Sequence, residues 1–310
     1  MQIQDQPLVS VALCTYNGEK FLAKQLHSIL NQDYTNVELV IVDDCSHDGT
    51  RDILESYKEK DQRIKLYRNE KNLGYTKNFE KAIKLCTGKY IALSDQDDIW
   101  EKNKITELVA EMPGKVMVFH NSGLIDENDS QIGNYTVSNT TRIYDDESCL
   151  PFLFSNCVHG HATLFDSGLK DYLFPFDDRY SHDWWLAYVA FNIGKVKYLD
   201  KILVHYRQHQ SSITDTLKLR RENTEVKPVR GIDRILPDLD MIKYCAEFKG
   251  NRDPELMKKA YYLLSSLAKG KERVKTFIFL VKYFNLLFYM RFKPKKFFSK
   301  LNMARKICFE

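Results

Sequence analysis

The chain has no CxxC pair and no Cys/His spacing of the kind that holds zinc. Its seven cysteines (Cys14, Cys45, Cys86, Cys149, Cys157, Cys245 and Cys308) are odd in number. They read as the reduced thiols of a cytosolic protein. The opening residues, MQIQDQPLVS, lack a basic stretch followed by a long apolar run, so no signal peptide is expected. No GxGxxG follows the first apolar run. Gly88-Lys89 is not a Walker A, because Tyr90 follows it and it closes a helical stretch instead of opening one. Charge of one sign is also missing from most of the chain. The net charge is +4, yet residues 291–310 alone sum to +6, with seven basic side chains against Glu310. The rest of the chain sums to −2 and offers no field suited to nucleic acid. There are no internal repeats and no low-complexity segment.

What is present is an alternation of short apolar runs and helical periodicities. Leu8–Cys14, Val37–Val42, Ile64–Tyr67 and Tyr90–Leu93 read as strands. Between them, Phe21/Leu22–Leu30, Ile53–Tyr57 and Phe79–Ile83 recur at helical spacing. Strands alternating with helices imply a parallel sheet with right-handed crossovers. In such sheets ligands bind beyond the carboxyl ends of the strands. Three polar exits lie there: Thr15–Asn17, Asp43–Ser46 and Ser94–Asp98. Further on, strands are expected at Val116–His120, Ala162–Phe165, Val196–Leu199 and Leu203–His209, with a helix over Asp183–Asn192. Asp126–Ser148 reads as loop. From about Leu217 helical segments follow, near Asp238–Phe248, Pro254–Lys269 and Arg273–Phe292. The chain length of 310 residues fits one α/β domain over 1–216, with halves 1–100 and 101–216, and a basic helical extension over 217–310. Thr276–Phe292 is apolar and aromatic but interrupted by Lys282 and Asn285. It is too short to span a bilayer. It reads as a packed helix, or as an interfacial one whose basic flank meets an anionic membrane.

The most informative stretch is YIALSDQDDIW, Tyr90–Trp100. A buried strand ends in Asp95, Asp97 and Asp98, a knot of like charge that calls for a cation. In extended backbone, Asp95 and Asp97 point the same way. They would share a Mg²⁺ or Mn²⁺ ion that also carries phosphate oxygens. Asp98 fits a different task, opening a capping box with Glu101 ahead of Ile105. Ile99 and Trp100 exclude an EF-hand loop. An aspartate-nucleophile phosphoryl-transfer enzyme stays open, although Asp98-Ile99 stands where a small residue and Thr are wanted.

LVSVALCTYNGEKFLAKQLHSILNQ, VELVIVDDCSHDGT, NLGYTKNF and GKYIALSDQDDIW, in that order, resemble the N-terminal half of an inverting family-2 glycosyltransferase of the GT-A fold. SHDWWLAYVA and HYRQHQSSIT are similar to its bacterial rhamnosyltransferase-like branch, which builds O-antigen, capsule or cell-wall polysaccharide. The resemblance implies a nucleoside-diphosphate-sugar donor, with rhamnose from dTDP-rhamnose first and UDP-galactose or UDP-glucose next. It covers about residues 8–215 and implies a lipid-linked or polysaccharide acceptor at the cytoplasmic face of the membrane; peripheral attachment is read from the basic tail itself, and a homodimer stays open. Thr15, Tyr16 and Asn17 would line the nucleotide pocket and Asp44 would hydrogen-bond the base. Asp43 is as readily a turn residue. Asp95 would contact ribose or metal, and Asp97 and His209 the metal. Arg207 has the chemistry to clamp a diphosphate, against the alternative of a plain surface arginine. Asp183 would be the general base, although His182 stands where the family usually has Glu. Ser181 and the helix dipole offer Asp183 a capping role instead. Trp184, Trp185 and His161 would face the acceptor, against the alternative of core packing. A non-catalytic sugar-nucleotide-binding subunit is the reading from another class.

Overall fold

The computed structural model describes residues 6–209 and 239–310. They divide into two compact units, residues 6–140, 158–190 and 194–208, and residues 141–157, 191–193, 209 and 239–310. The boundary expected at 216/217 falls outside the described residues.

The first unit is built on a mixed sheet. β1 (Val9–Thr15), α1 (Leu22–Leu30), β2 (Val37–Asp43), α2 (Thr50–Lys60), β3 (Ile64–Arg68), α3 (Tyr75–Leu85) and β4 (Tyr90–Ser94) follow one another. Strands β3-β2-β1-β4 are parallel neighbours in that order. β1, β2 and β4 are buried along their whole length. Both of their faces are covered, so they read as unbroken apolar runs with no alternation. Leu13, Leu22, Leu26, Ile41, Leu54 and Ala92 meet in the core between sheet and helices.

The chain continues through β5 (Ile99–Trp100), α4 (Lys104–Glu111), β6 (Met117–Ile125), β7 (Gln131–Thr136), α5 (Val137–Thr140), β8 (Thr163–Asp166), α6 (Lys170–Leu173), α7 (His182–Ile193) and β9 (Val196–Arg207). The sheet extends past β4 as β8-β6-β9-β5, with β7 paired to β6. β8 runs antiparallel to β4 and β6. β5 runs antiparallel to β9, which sets Ile99 opposite His205.

Two expectations are corrected here. The loop expected over Asp126–Ser148 contains β7 and α5. Gln131, Ile132 and Gly133 are exposed, so this strand carries no apolar alternation to betray it. The two strands expected between Val196 and His209 are one. Pairing to β6 jumps from His120↔Leu199 to Asn121↔Ile202. The polar break at Asp200-Lys201 is therefore a bulge, which bends a strand without ending it.

The second unit is helical: α8 (Leu239–Glu247), α9 (Pro254–Ala268), α10 (Arg273–Leu287) and α11 (Phe297–Phe309). Asp253 caps α9 by accepting from Leu256 N at 3.0 Å, with Pro254 in the first turn. Thr276 Oγ1 donates to Leu263 O at 3.2 Å and ties α10 to α9. No described helix is long and apolar enough to cross a membrane. None of the seven cysteines forms a disulfide.

Candidate active site

The acidic stretch after β4 is a bend, not a continuation of the strand. Extended structure stops at Ser94 and resumes at Ile99. The two-residue alternation expected to align Asp95 with Asp97 therefore does not apply. Asp98 joins Asp95 instead: one carboxylate oxygen from each and a ring nitrogen of His161 lie within 4.8 Å of one another. Asp98 is not a helix cap. α4 begins only at Lys104, after Asn103, with no side-chain cap. Asp98 is fully buried. Its Oδ1 accepts from Arg207 N at 3.1 Å, and its Oδ2 has no hydrogen-bond partner.

The charges of the bend are held in opposite ways. Burial, and then Asp97 and Asp95, push the Asp98 carboxyl well above the usual carboxylate range. Burial acts against Asp95 too, but His161, His182 and Lys104 hold it below that range. Lys104 is buried, and its ammonium is drawn well below its ordinary value by that burial, opposed by Asp98 and Asp95. Its Nζ donates to His161 O at 2.6 Å and lies 3.5 Å from the Trp100 ring centroid.

The β1 exit is locked to this bend by Gln96. Gln96 Oε1 accepts from Thr15 Oγ1 at 2.7 Å and Tyr16 N at 2.8 Å, and its Nε2 donates to Tyr16 O at 3.1 Å. Thr15 is buried while Tyr16 is exposed. Asn17 takes a left-handed φ of 49°. Its side chain accepts from His47 N at 2.9 Å, joining the β1 and β2 exits. A Cβ on Gly18 would stand 2.4 Å from Gln96 Oε1, so only glycine leaves room for this lock.

At the β2 exit both aspartates have hydrogen-bond partners within the fold. Asp43 accepts from Ser46 Oγ at 2.5 Å and pairs with Arg68 at 3.4 Å, the turn role weighed for it. Asp44 accepts from Asn69 Nδ2 at 2.6 Å, Leu73 N at 2.8 Å and Gly74 N at 2.9 Å, and so holds the 69–74 turn.

Arg207 stands inside the fold and not at a solvent-facing clamp position. It is fully buried. Its Nε donates to Asp97 O and its Nη1 to Asp126 O, both at 2.7 Å, and it pairs with Asp129 at 2.6 Å. A buried guanidinium needs such partners to offset its desolvation. Asp97 and His209 are not members of the Asp95–Asp98–His161 group.

Asp183 lies in the first turn of α7. The Ser181 hydroxyl donates to its Oδ1 at 2.6 Å instead of capping the helix, and Gly160 N donates to Oδ2 at 3.3 Å. Gly160 permits this approach: a Cβ there would sit 3.0 Å from His182 Nε2 and 3.7 Å from both Asp183 Cβ and Leu93 of β4. Asp183 and the acidic bend face a common neighbour. His159 is lowered to about 4 by burial and by His161, while Asp183 and Asp95 both act to raise it. His182 is stacked on Phe79 at 4.1 Å with neither ring nitrogen hydrogen-bonded. It is lowered by burial and also senses Asp183 and Asp95. His161 is buried, lies 2.9 Å from Ser122 Oγ and 3.8 Å from Asp95, and stacks on Tyr206 at 4.4 Å. Trp185 is a core residue whose Nε1 donates to Leu173 O at 2.9 Å. Trp184 is half-buried.

Sequence reasoning passed over Gln96, Lys104, Ser122, Gly160 and Tyr206. Only Gln96 carried a usable signal. β1 and β4 pair in parallel with Leu13 opposite Ser94, so positions 15 and 96 leave the sheet together, once the strand order is known.

The family model described as Glycosyl transferase family 2 matches residues 10–173. TuaG of Bacillus subtilis (strain 168), named for teichuronic acid biosynthesis, is 35% identical over 143 residues. That match covers 46% of this chain and 57% of that protein. The Escherichia coli protein WfgD is named as a UDP-Glc:alpha-D-GlcNAc-diphosphoundecaprenol beta-1,3-glucosyltransferase. It is 33% identical over 218 residues, covering 68% of this chain and 81% of that protein. Among solved structures, S. aureus TarS 1–349 in complex with UDP-GlcNAc superposes with a TM-score of 0.58 at 18% identity, covering 96% of this chain and 87% of that one.

Proposed function

The chain belongs to glycosyl transferase family 2, and we propose that it is an inverting enzyme. In this reading it moves a hexose from a nucleoside diphosphate onto a lipid-linked or polysaccharide acceptor. The observation that carries the proposal is a pair of acidic groups whose charges both act on His159 and His182. One is the Asp95–Asp98–His161 set, and the other is Asp183.

The donor set fits a divalent cation. Two carboxylates and an imidazole within 4.8 Å match the span of one coordination sphere, and the orphaned Asp98 Oδ2 is an acceptor awaiting a partner. Asp97, in the same bend, is the further candidate ligand, and His209 remains a proposed one. A bound cation would offset the charge that develops on the leaving diphosphate. The chain's own groups do the rest. Thr15 and Tyr16, fixed by Gln96, and Asn17, fixed by His47, line the nucleotide side, with Asp44 near the base. Asp183 Oδ takes the proton from the acceptor hydroxyl as that oxygen bonds to the sugar carbon and the carbon–phosphate-oxygen bond breaks. Gly160 N and the Ser181 hydroxyl orient Asp183 for this. Trp184 is proposed to border the acceptor, with His161 assigned to the cation set instead, whereas Trp185 supports the helix from the core. Arg207 holds the backbone of the bend in place.

The likeness to WfgD supports UDP-glucose ahead of dTDP-rhamnose as donor. It also supports a diphosphate-linked polyprenol acceptor, which would bring the enzyme to the cytoplasmic face of the membrane as a peripheral protein. The test is a panel of UDP-glucose, UDP-galactose and dTDP-rhamnose with a polyprenyl-diphosphate sugar acceptor and Mn²⁺ or Mg²⁺. Release of nucleoside diphosphate coupled to sugar transfer is expected with one donor. Binding of donors with no turnover in any combination would favour the non-catalytic subunit.

A further inference from the structure

The second unit carries a surface to which none of the proposed site residues belongs. Between Arg273 and Phe309 there are ten basic side chains and no acid. In their midst runs Lys293-Pro294-Lys295-Lys296-Phe297-Phe298-Ser299-Lys300. Most large apolar side chains of this unit are buried, among them Phe279, Phe284, Leu287 and Phe288. Phe297 and Phe298 are the opposite, 59% and 82% exposed. Their rings are neighbours, edge to face at 5.7 Å.

Two physical costs coincide here. Two adjacent phenyl rings stand in water, and neither has a polar atom that water would reward. The lysines also gather at the N-terminus of α11, the positive end of its dipole, with no acid in the first turn and no side-chain cap. The turn is nonetheless held in shape, because Lys295 N donates to Asn285 Oδ1 at 3.0 Å. An anionic partner with an apolar interior would remove both costs at once.

We propose that Lys293–Lys300 is a docking surface for an anionic lipid bilayer, with Phe297 and Phe298 entering the headgroup boundary and Lys293, Lys295, Lys296 and Lys300 meeting lipid phosphates. Its purpose, delivering the enzyme to a lipid-linked acceptor, rests on the proposed function; its geometry does not.

The full chain is sedimented with phosphatidylcholine vesicles and with vesicles containing about one-third phosphatidylglycerol. Partition into the anionic vesicles alone is expected, weakening as salt screens the lysines. Lys293→Gln/Lys295→Gln/Lys296→Gln should lower it about 100-fold, roughly fivefold per charge. Phe297→Ser/Phe298→Ser should lower it at least about tenfold. Both variants should release nucleoside diphosphate from donor in solution as the parent does. Failure of the parent to bind anionic vesicles, or undiminished binding by either variant, overturns the proposal. Two other results overturn it as well. A shift in sedimentation coefficient on Phe297→Ser/Phe298→Ser with vesicle binding intact would assign the patch to a second copy. Retention on heparin without vesicle binding would assign it to a soluble polyanion. Donor turnover absent from every sample, with the vesicle pattern as expected, would defeat the transferase reading and leave the docking surface standing.

Discussion

The two ends of the parallel strands treat a buried carboxylate in opposite ways. At the amino end, Glu38 of β2 is surrounded by donors. Ser10 Oγ lies at 2.5 Å, Thr87 N at 2.7 Å and Thr87 Oγ1 at 2.9 Å, with Lys65 beside it. Burial opposes its ionisation, yet these partners hold its carboxyl at about 2. At the carboxyl end, Asp98 is equally sequestered but has two acids beside it and one oxygen unpartnered. In the proposed function, the acid left short is the one assigned to a bound cation. The contrast separates the end that stabilises the sheet from the end to which the proposed function assigns chemistry.

Substitutions should split along the same line. The largest effect is expected from Asp183→Asn, which keeps the helix turn but removes the base. Transfer should fall by about 10³-fold with donor affinity preserved, as single-turnover assays alongside donor titrations would show. Comparable loss of both would make Asp183 a structural residue. Asp95→Asn should weaken donor binding about 10–100-fold in Mn²⁺ and change little without the ion; fluorescence titration of labelled donor measures both arms.

Glu38→Gln should act at the other end. Glu38 has a folded value below its ordinary one of 4.5, so its contribution is present above that pH. It is lost as pH falls through the window from about 4.5 to about 2. The variant should lose about 2–3 kcal/mol at neutral pH and flatten the acid limb of the stability curve, with donor binding unchanged. Chemical denaturation across that window is the check. The smallest effect has the opposite sign. Asp98, pushed up by burial and by its neighbours, penalises the folded state increasingly above the ordinary carboxylate range. Asp98→Asn should therefore raise Tm by roughly 2–4 °C in the absence of divalent cations, the equivalent of about 1 kcal/mol. A fall in Tm would mean that Asp98 is already satisfied.

The parallel half of the sheet was readable because fully buried strands leave unbroken apolar runs, and β1, β2 and β4 are of that kind. The place of Asp183 in the first turn of a helix was readable from SHDWW. The division of labour within the acidic knot was not. It depends on whether residues 95–98 stay extended, and the bend that moves Asp98 inward has no periodicity to announce it. Arg207 looked like a free cation because alternation along β9 says which face a side chain takes but not what lies against that face. Strand β7 and the bulge at Asp200-Lys201 escape sequence reading for a related reason, since polar residues mark loops, edges and bulges alike.

The contrast between the two ends is tested most directly by calorimetric titration of UDP and dTDP, with and without Mn²⁺, into the parent chain, Glu38→Gln and Asp98→Asn. Mn²⁺ should strengthen binding of one nucleotide to the parent and to Glu38→Gln, and make no difference to Asp98→Asn. Undiminished Mn²⁺ dependence in Asp98→Asn would contradict the assignment of the carboxyl end as the cation and donor site.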